Sequence, residues 1–256
     1  MSQLTEQKYQ TVTQEELERV RQQHSWVADP IIRASERVLE EPFFEWLQTV
    51  RSVQELKPVV TQLWYHSATF PKVMGIMLGL TSLKENHMMP FYAMHIYGEA
   101  DHHEMLMQWM LKHGILQDRK EIEKFIPTIA TNACVNLVYQ MAIEQDRSKW
   151  LACLNSGIER CSNHFFIKMS EKLDELDVND PYFTVHVEAD QHHSILGLDY
   201  LEAANDSFRR EVIINKALEG ISLWAFMLNS WIGINRMPEF DLEGNLLNKQ
   251  ATGINN

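Results

Sequence analysis

The sequence predicts an all-α protein, a single-domain helical bundle of about six to seven core helices. Three observations lead there. Apolar residues recur at three- and four-residue steps through every long segment. Most prolines stand at the heads of these segments, as Pro42, Pro58, Pro90, Pro127 and Pro181 do. No stretch shows strand-like alternation bounded by turn residues.

Residues 1–25 are polar and rich in Gln and Glu, which predicts an N-terminal arm, frayed or docked as a short helix. From Val27 the spacing of Ile31, Ile32, Val38 and Leu39 is helical up to Pro42, where a new helix begins. The next helix spans about Val53 to Gly79, with Pro71 expected to kink or break it near Thr69. Pro90 opens a helix from Phe91 to about His113, closed by Gly114. Pro127 precedes an apolar helix from Ile129 to Leu154 or beyond, continued over Ile158 to Leu176. Asn179-Asp180-Pro181 signals the start of a helix to about Ala204, and another spans Phe208 to Ile232. The domain is therefore expected over residues 26–238, with an irregular tail over 239–256.

Composition narrows the function. The chain has 256 residues, 45% of them hydrophobic, enough for one sizeable core. A net charge of −12 and a pI near 5.4 argue against nucleic acid and anionic membranes as partners. No apolar run is long enough to span a bilayer, and the polar start does not read as a signal peptide. Cys134, Cys153 and Cys161 form no CxxC pair and are expected as buried thiols, so a cytoplasmic location is expected. Dinucleotide, P-loop and nucleophile-elbow motifs are missing.

The histidines carry the functional signal. His186, Asp190 and His193 sit at i, i+4 and i+7, so they share one helical stripe. His95, Glu99 and His102 repeat that spacing. His103 and His192 fall about 100° off these stripes. Glu144 lies on an apolar stripe with Ala133, Leu137 and Leu151, where an ionised carboxylate needs a cation or a partner. A lone ExxH pair is common by chance, and any one of these residues alone has an ordinary structural reading. Their coincidence predicts a metal site of Glu99, His102, Glu144, His186, Asp190 and His193, with Glu144 as the bridge. Three carboxylates and three imidazoles without thiolate suit two iron or manganese ions better than zinc. His95 is the alternative ligand or a neighbour of the site, and Tyr65 and His66 are pocket candidates.

At these residues the sequence resembles the haem-oxygenase-like di-iron oxidases and oxygenases, also called iron-containing redox enzymes. The resemblance rests on Tyr182-Phe183-x-x-His186-x-Glu188-x-Asp190-x-x-His193 and on His95-x-x-x-Glu99-x-x-His102. Leu106, the closing Lys112-His113-Gly114-Ile115 and Ala142-Ile143-Glu144 add to it. Glu41-Pro42-Phe43-Phe44 is similar to the family's His-Pro-Phe motif with Glu in place of His, a motif shared with thiaminase-like and cofactorless relatives. Two alternatives stay open. A longer spacing in parts of the family would put His95 in the place of Glu99. The long gap from Glu144 to His186 makes Glu159 the alternative to Glu144.

The resemblance implies the haem-oxygenase-like fold, two Fe(II) ions per chain with Mn as a substitute, and O₂ as co-substrate. It implies an oxidase or oxygenase acting on a small molecule: an amino acid, fatty acid or aromatic acid. N-oxygenation, C–C cleavage and decarboxylation all occur among such enzymes, and the metal ligands do not choose between them. An external electron donor and a homodimer are compatible with it. The alternatives are a ferritin-like di-iron protein, a cofactorless enzyme of the same fold, and a non-catalytic metal-binding helical protein.

Overall fold

The computed structural model describes residues 13–202 and 204–247, apart from the side chains of residues 14, 17, 123 and 188–196. Short polar side chains start several helices by accepting from an otherwise unpaired backbone N–H. Thr13 and Glu16 cap each other at the head of α1 (Gln14–Gln23). Thr128 accepts from Thr131 N at α7 (Ile129–Glu144), and Asp206 from Arg209 N at α11 (Ser207–Trp231). Pro42 opens α3 (Pro42–Thr49), after α2 (Ser25–Val38). The remaining helices are α4 (Lys57–Leu80), α5 (Met89–Glu99), α6 (His102–Lys112), α8 (Arg147–Trp150), α9 (Glu159–Glu175) and α10 (Pro181–Asp199). Among the described residues there is no strand, only an isolated bridge between Phe240 and Leu246. No described helix is long and apolar enough to cross a membrane.

Helix α11 runs through the middle, packed against α2, α4 and α7, and buries Ile213, Ala217, Ile221, Trp224 and Leu228. Helix α4 packs against α5, α6 and α7, and α10 lies along α9. Helix α1 also reaches α10: Val20 is buried, and Arg19 pairs with Asp199 at 3.3 Å. The tail to residue 247 has no helix but is seated on α2. Gly244, at φ +80°, fits so closely against Pro30 that a Cβ would lie 2.2 Å from its carbonyl oxygen. All three cysteines are free and buried.

Three expectations about helix continuity need correcting. Helix α4 continues through Pro71, because packing against α5, α6 and α7 holds both halves in line. The expected helix from Phe91 to His113 is two helices, since Ala100 and Asp101 leave the helix and the Asp101 carbonyl caps α6 through Glu104 N and Met105 N. Helix α7 stops at Gln145, which adopts a left-handed conformation (φ +55°). Asp146 then restarts the chain by accepting from Lys149 N while gripping Arg209 twice at 2.7 Å.

Beyond α8 the chain winds as a π-helix over Leu151–Ile158, every residue buried, before α9 begins. Such segments are rare, and they concentrate at functional sites. Small residues let three elements meet here. A Cβ on Gly197 of α10 would lie 2.6 Å from the Asn155 Cβ, and one on Gly220 of α11 would lie 2.5 Å from the Cys153 Sγ.

Gly197→Ala should therefore destabilise the protein by about 1–3 kcal/mol, the usual range for overpacking. Gly75→Ala, with open space around it in α4, should be neutral or stabilising by up to about 1 kcal/mol. Urea unfolding of the two variants checks the contrast.

Candidate metal centre

Glu99 is the last residue of α5, and His102 is the first of α6. The break between the helices leaves their side chains together, with His102 Nδ1 2.7 Å from Glu99 Oε2. His186, one turn and a half into α10, reaches the same place, its ring centroid 4.2 Å from that of His102. Glu99, His102 and His186 each offer a ligand atom, and the three atoms lie within 4.8 Å of one another. Glu159, at the head of α9, and His95, one turn before Glu99, meet beside them with 2.7 Å between Nε2 and Oε1. None of these five residues is more than 5% exposed, so each ionised carboxylate needs a cation or donors nearby.

The neighbours fix the chemical form of each group. His186 Nδ1 lies 2.6 Å from the Tyr182 carbonyl, so it carries the proton and leaves the Nε2 lone pair for a ligand. Phe166 stacks flat on the same ring, centroids 4.1 Å apart and planes 18° apart. Burial, followed by the His102 charge, depresses the His186 pKa to about 4, so the imidazole is neutral. Burial pushes the Glu99 carboxyl up, but His102, His186 and His95 together bring it well below the usual carboxylate range. Burial also opposes charge on His95, yet Glu159 and Glu99 hold its pKa above the ordinary value. The Glu159 pKa is raised, chiefly by burial, against the opposing pull of His95. Its second oxygen accepts from Asn155 Nδ2 at 3.0 Å.

A cavity of about 30 Å³ joins Glu99, Glu159 and His186, walled by His66, Phe70, Phe166 and Trp224. It is of water size. His66 stacks on Phe70 and meets Trp224 edge-on, and burial lowers its pKa to about 4.

Glu99, His102 and His186 are thus brought together, and His66 lines the cavity. Glu144 is not brought there. It ends α7, is exposed, and is held by Gln140 Nε2 at 2.7 Å and Lys149 Nζ at 3.2 Å. Glu159 occupies the buried position expected of Glu144, because the chain reverses its local conformation at Gln145 and then runs through the π-helix. Tyr65 is corrected too: its hydroxyl donates to Asn132 Oδ1 at 3.3 Å, in the seam between α4 and α7, away from the cavity. The side chains of Asp190 and His193 lie outside the described residues. Glu41 has a structural part. It is buried at the head of α3 and accepts from Asn229 Nδ2 at 2.7 Å, while Asn229 Oδ1 accepts from Phe43 N.

Residues 57–225 match the model of the family described as "Iron-containing redox enzyme", which covers most of the chain. The protein belongs to this family, and its fold is haem-oxygenase-like. A crystal structure of a TenA homolog from Pseudomonas syringae pv. tomato is similar, with a TM-score of 0.68 at 14% identity, covering 84% of this chain and 93% of that one. A domain of unknown function with a heme oxygenase-like fold from Shewanella denitrificans gives 0.62 at 15% identity, over 87% and 93%. A TenA homologue from Pyrococcus furiosus gives 0.53 at 14% identity, over 85% and 98%. No curated protein matches the sequence significantly.

The buried imidazoles predict an acid-sensitive apoprotein. A histidine titrates near 6.5 in the unfolded chain, while His66 titrates near 4 when folded. Between those values the unfolded chain binds more protons, so stability is full above pH 6.5 and is lost as the pH falls towards 4. His66 alone should remove roughly 2 kcal/mol between pH 7 and 5. Urea midpoints of metal-free protein at both pH values, beside His66→Phe, check this; equal slopes in the two proteins would refute it.

Proposed function

We propose that this protein binds two ferrous ions and acts as a non-haem, O₂-dependent oxidase or oxygenase on a small molecule. The observation that carries the reading is the buried convergence of Glu99, His102 and His186 from three helices, with ligand atoms within 4.8 Å of one another. Glu159 adds a second carboxylate at the same cavity. Asp190 and His193 complete the proposed set from the sequence, on the i, i+4, i+7 stripe begun by His186. Manganese is a chemically suitable substitute, since the donors are oxygen and imidazole nitrogen.

When bound, iron supplies the one-electron chemistry that O₂ reduction needs. The protein's own groups prepare for it. The proton on His186 Nδ1 is held by the Tyr182 carbonyl, which orients the ring and keeps Nε2 open. Glu99 stays ionised, and Phe70, Phe166 and Trp224 keep bulk water away. The substrate is proposed to be an amino acid, a fatty acid or an aromatic acid. Reduction of O₂ to water takes four electrons, so an external donor is required wherever the substrate yields only two.

A second reading is a cofactorless enzyme of this fold. It is favoured by the way Glu99 meets His102 and Glu159 meets His95, each at 2.7 Å, without a metal between them. A ferritin-like bundle is replaced by the haem-oxygenase-like fold.

Anaerobic loading of apoprotein with Fe(II), followed by metal analysis, separates the readings. About two ions per chain are expected, with less than one in His186→Ala and no change in Glu144→Gln. Glu159→Gln should lose the second ion. Uptake near zero in wild-type protein, unaffected by His186→Ala, would establish the cofactorless reading instead. On exposure to O₂ the loaded wild-type protein should consume it, and the His186→Ala protein should not.

A further inference from the structure

We propose that the cleft between α3 and the second half of α9 binds a small monocarboxylic acid with an apolar body. The cleft encloses about 460 Å³, inside the usual range for small-molecule pockets, whereas the cavity at the buried centre holds about 30 Å³. Lys172, in the wall of the cleft, lies about 20 Å along α9 from Glu159 at a rise of about 1.5 Å per residue. The site is therefore separate from the candidate metal centre and does not rest on the di-iron reading.

One carbonyl oxygen brings two cations together here. Arg51 Nη1 donates to the Gln48 oxygen at 3.0 Å, and Lys172 Nζ donates to the same oxygen at 3.3 Å. Gln48 stands in the last turn of α3, where carbonyls lack helical partners, so both side chains are drawn to the end of that helix. Arg51 Nη1 also donates to the Val50 carbonyl at 3.2 Å. These bonds occupy one corner of the guanidinium. Its Nε and Nη2 make no hydrogen bond, and Arg51 has no ion pair, among the described residues. Nε and Nη2 form an edge that can grip a carboxylate with two parallel bonds. Lys172 is 6% exposed, and an ammonium has three N–H groups. One goes to Gln48 and another to Glu175, which leaves the third for a ligand.

The rest of the lining defines the ligand. Lys168 is matched by Glu171 at 2.8 Å and Lys172 by Glu175, so Arg51 is the lining cation left unmatched among the described residues. One carboxylate lying between Arg51 and Lys172 restores the balance, through hydrogen bonds strengthened by charge on both sides. A second negative charge would meet Glu171 and Glu175, which disfavours phosphates and dicarboxylic acids. Leu39, Phe44 and Leu47 form an apolar wall that a carbon chain or ring can cover. An acidic protein segment is the weaker match, because one unmatched cation cannot hold several carboxylates against a chain of net charge −12.

The test is isothermal titration calorimetry of the full-length, metal-free protein with octanoate and with 4-phenylbutyrate. At least one of them should bind near one per chain. Octanol lacks the carboxylate and acetate lacks the apolar body, so each should bind about tenfold more weakly or less. Arg51→Gln and Lys172→Met should each weaken acid binding about tenfold, the usual worth of a hydrogen bond to a charged group. Circular dichroism and urea midpoints check that both variants are folded. His186→Ala should bind the acid as wild-type protein does. No binding of either acid by wild-type protein at millimolar concentration overturns the proposal. So does octanol or inorganic phosphate binding as tightly as the acids, or wild-type affinity in the folded variants. Loss of binding in His186→Ala places the acid at the buried centre and overturns it as well. Wild-type protein gives a readout independent of any variant: the Arg51 Nε and Lys172 Nζ ¹⁵N signals should shift as the acid is added. If both stay unmoved while the acid binds, the site is elsewhere and the proposal fails.

Discussion

The structure depends on burying ionisable side chains in the middle of an apolar helical bundle. An ionised carboxylate deep among Phe70, Phe166 and Trp224 is costly by several kcal/mol unless a cation or donors stand beside it. Glu99 has His102, and Glu159 has His95 and Asn155. Each fully buried aromatic side chain returns only about 1.5–3 kcal/mol. The core can therefore tolerate this cluster only while every member stays paired. The same rule operates away from the centre, where buried Glu41 is held by Asn229.

The helices break where these groups have to be placed. Glu99 closes α5, His102 opens α6, and Glu159 opens α9 directly after the π-helix. A helix end lets a side chain leave the steady 100° rotation that an unbroken helix imposes. The π-helix does the same by a different route, adding a residue to each turn and thereby turning Glu159 and Asn155 towards the centre. Gly197 and Gly220 permit the close approach of α10 and α11 to this segment. Backbone irregularity and site geometry are one feature here, because regular helices of this sequence would place Glu159 on another face.

This explains what could be read from the sequence. The helices themselves, and the prolines and capping residues that open them, depend on local chemistry and are visible residue by residue. So is the spacing of His95, Glu99 and His102, although α5 ends and α6 begins between the last two, and so is His186, while the side chains of Asp190 and His193 lie outside the described residues. Glu144 and Glu159 could not be ranked in that way. Counting along one continuous helix from Ile129 puts Glu144 on an apolar stripe, but the left-handed turn at Gln145 and the π-helix both change the phase. A cue was present in Asn155-Ser156-Gly157, three small residues together in an otherwise apolar run, where tight packing replaces bulk. His95 was visible as a neighbour of the site, but its pairing with Glu159 joins α5 to α9 and depends on their packing. Pro71 misled in the opposite direction, because tertiary contacts hold a helix that local chemistry would interrupt.

Charge balance connects this centre to the kind of molecule it would accept. On the di-iron reading, two divalent ions meet the carboxylates of Glu99, Glu159 and Asp190, and neutral imidazoles add no charge. That leaves one positive charge uncompensated in a setting from which Phe70, Phe166 and Trp224 exclude water. A buried excess charge is stabilised by bringing in its opposite, and a bound ion is the largest local charge in such a site. The group that best restores neutrality is a single carboxylate on the substrate. Amino, fatty and aromatic acids share that group and differ in everything else, so on this proposed reading the charge of the site would favour the acid function. The rest of the pocket must select the molecule.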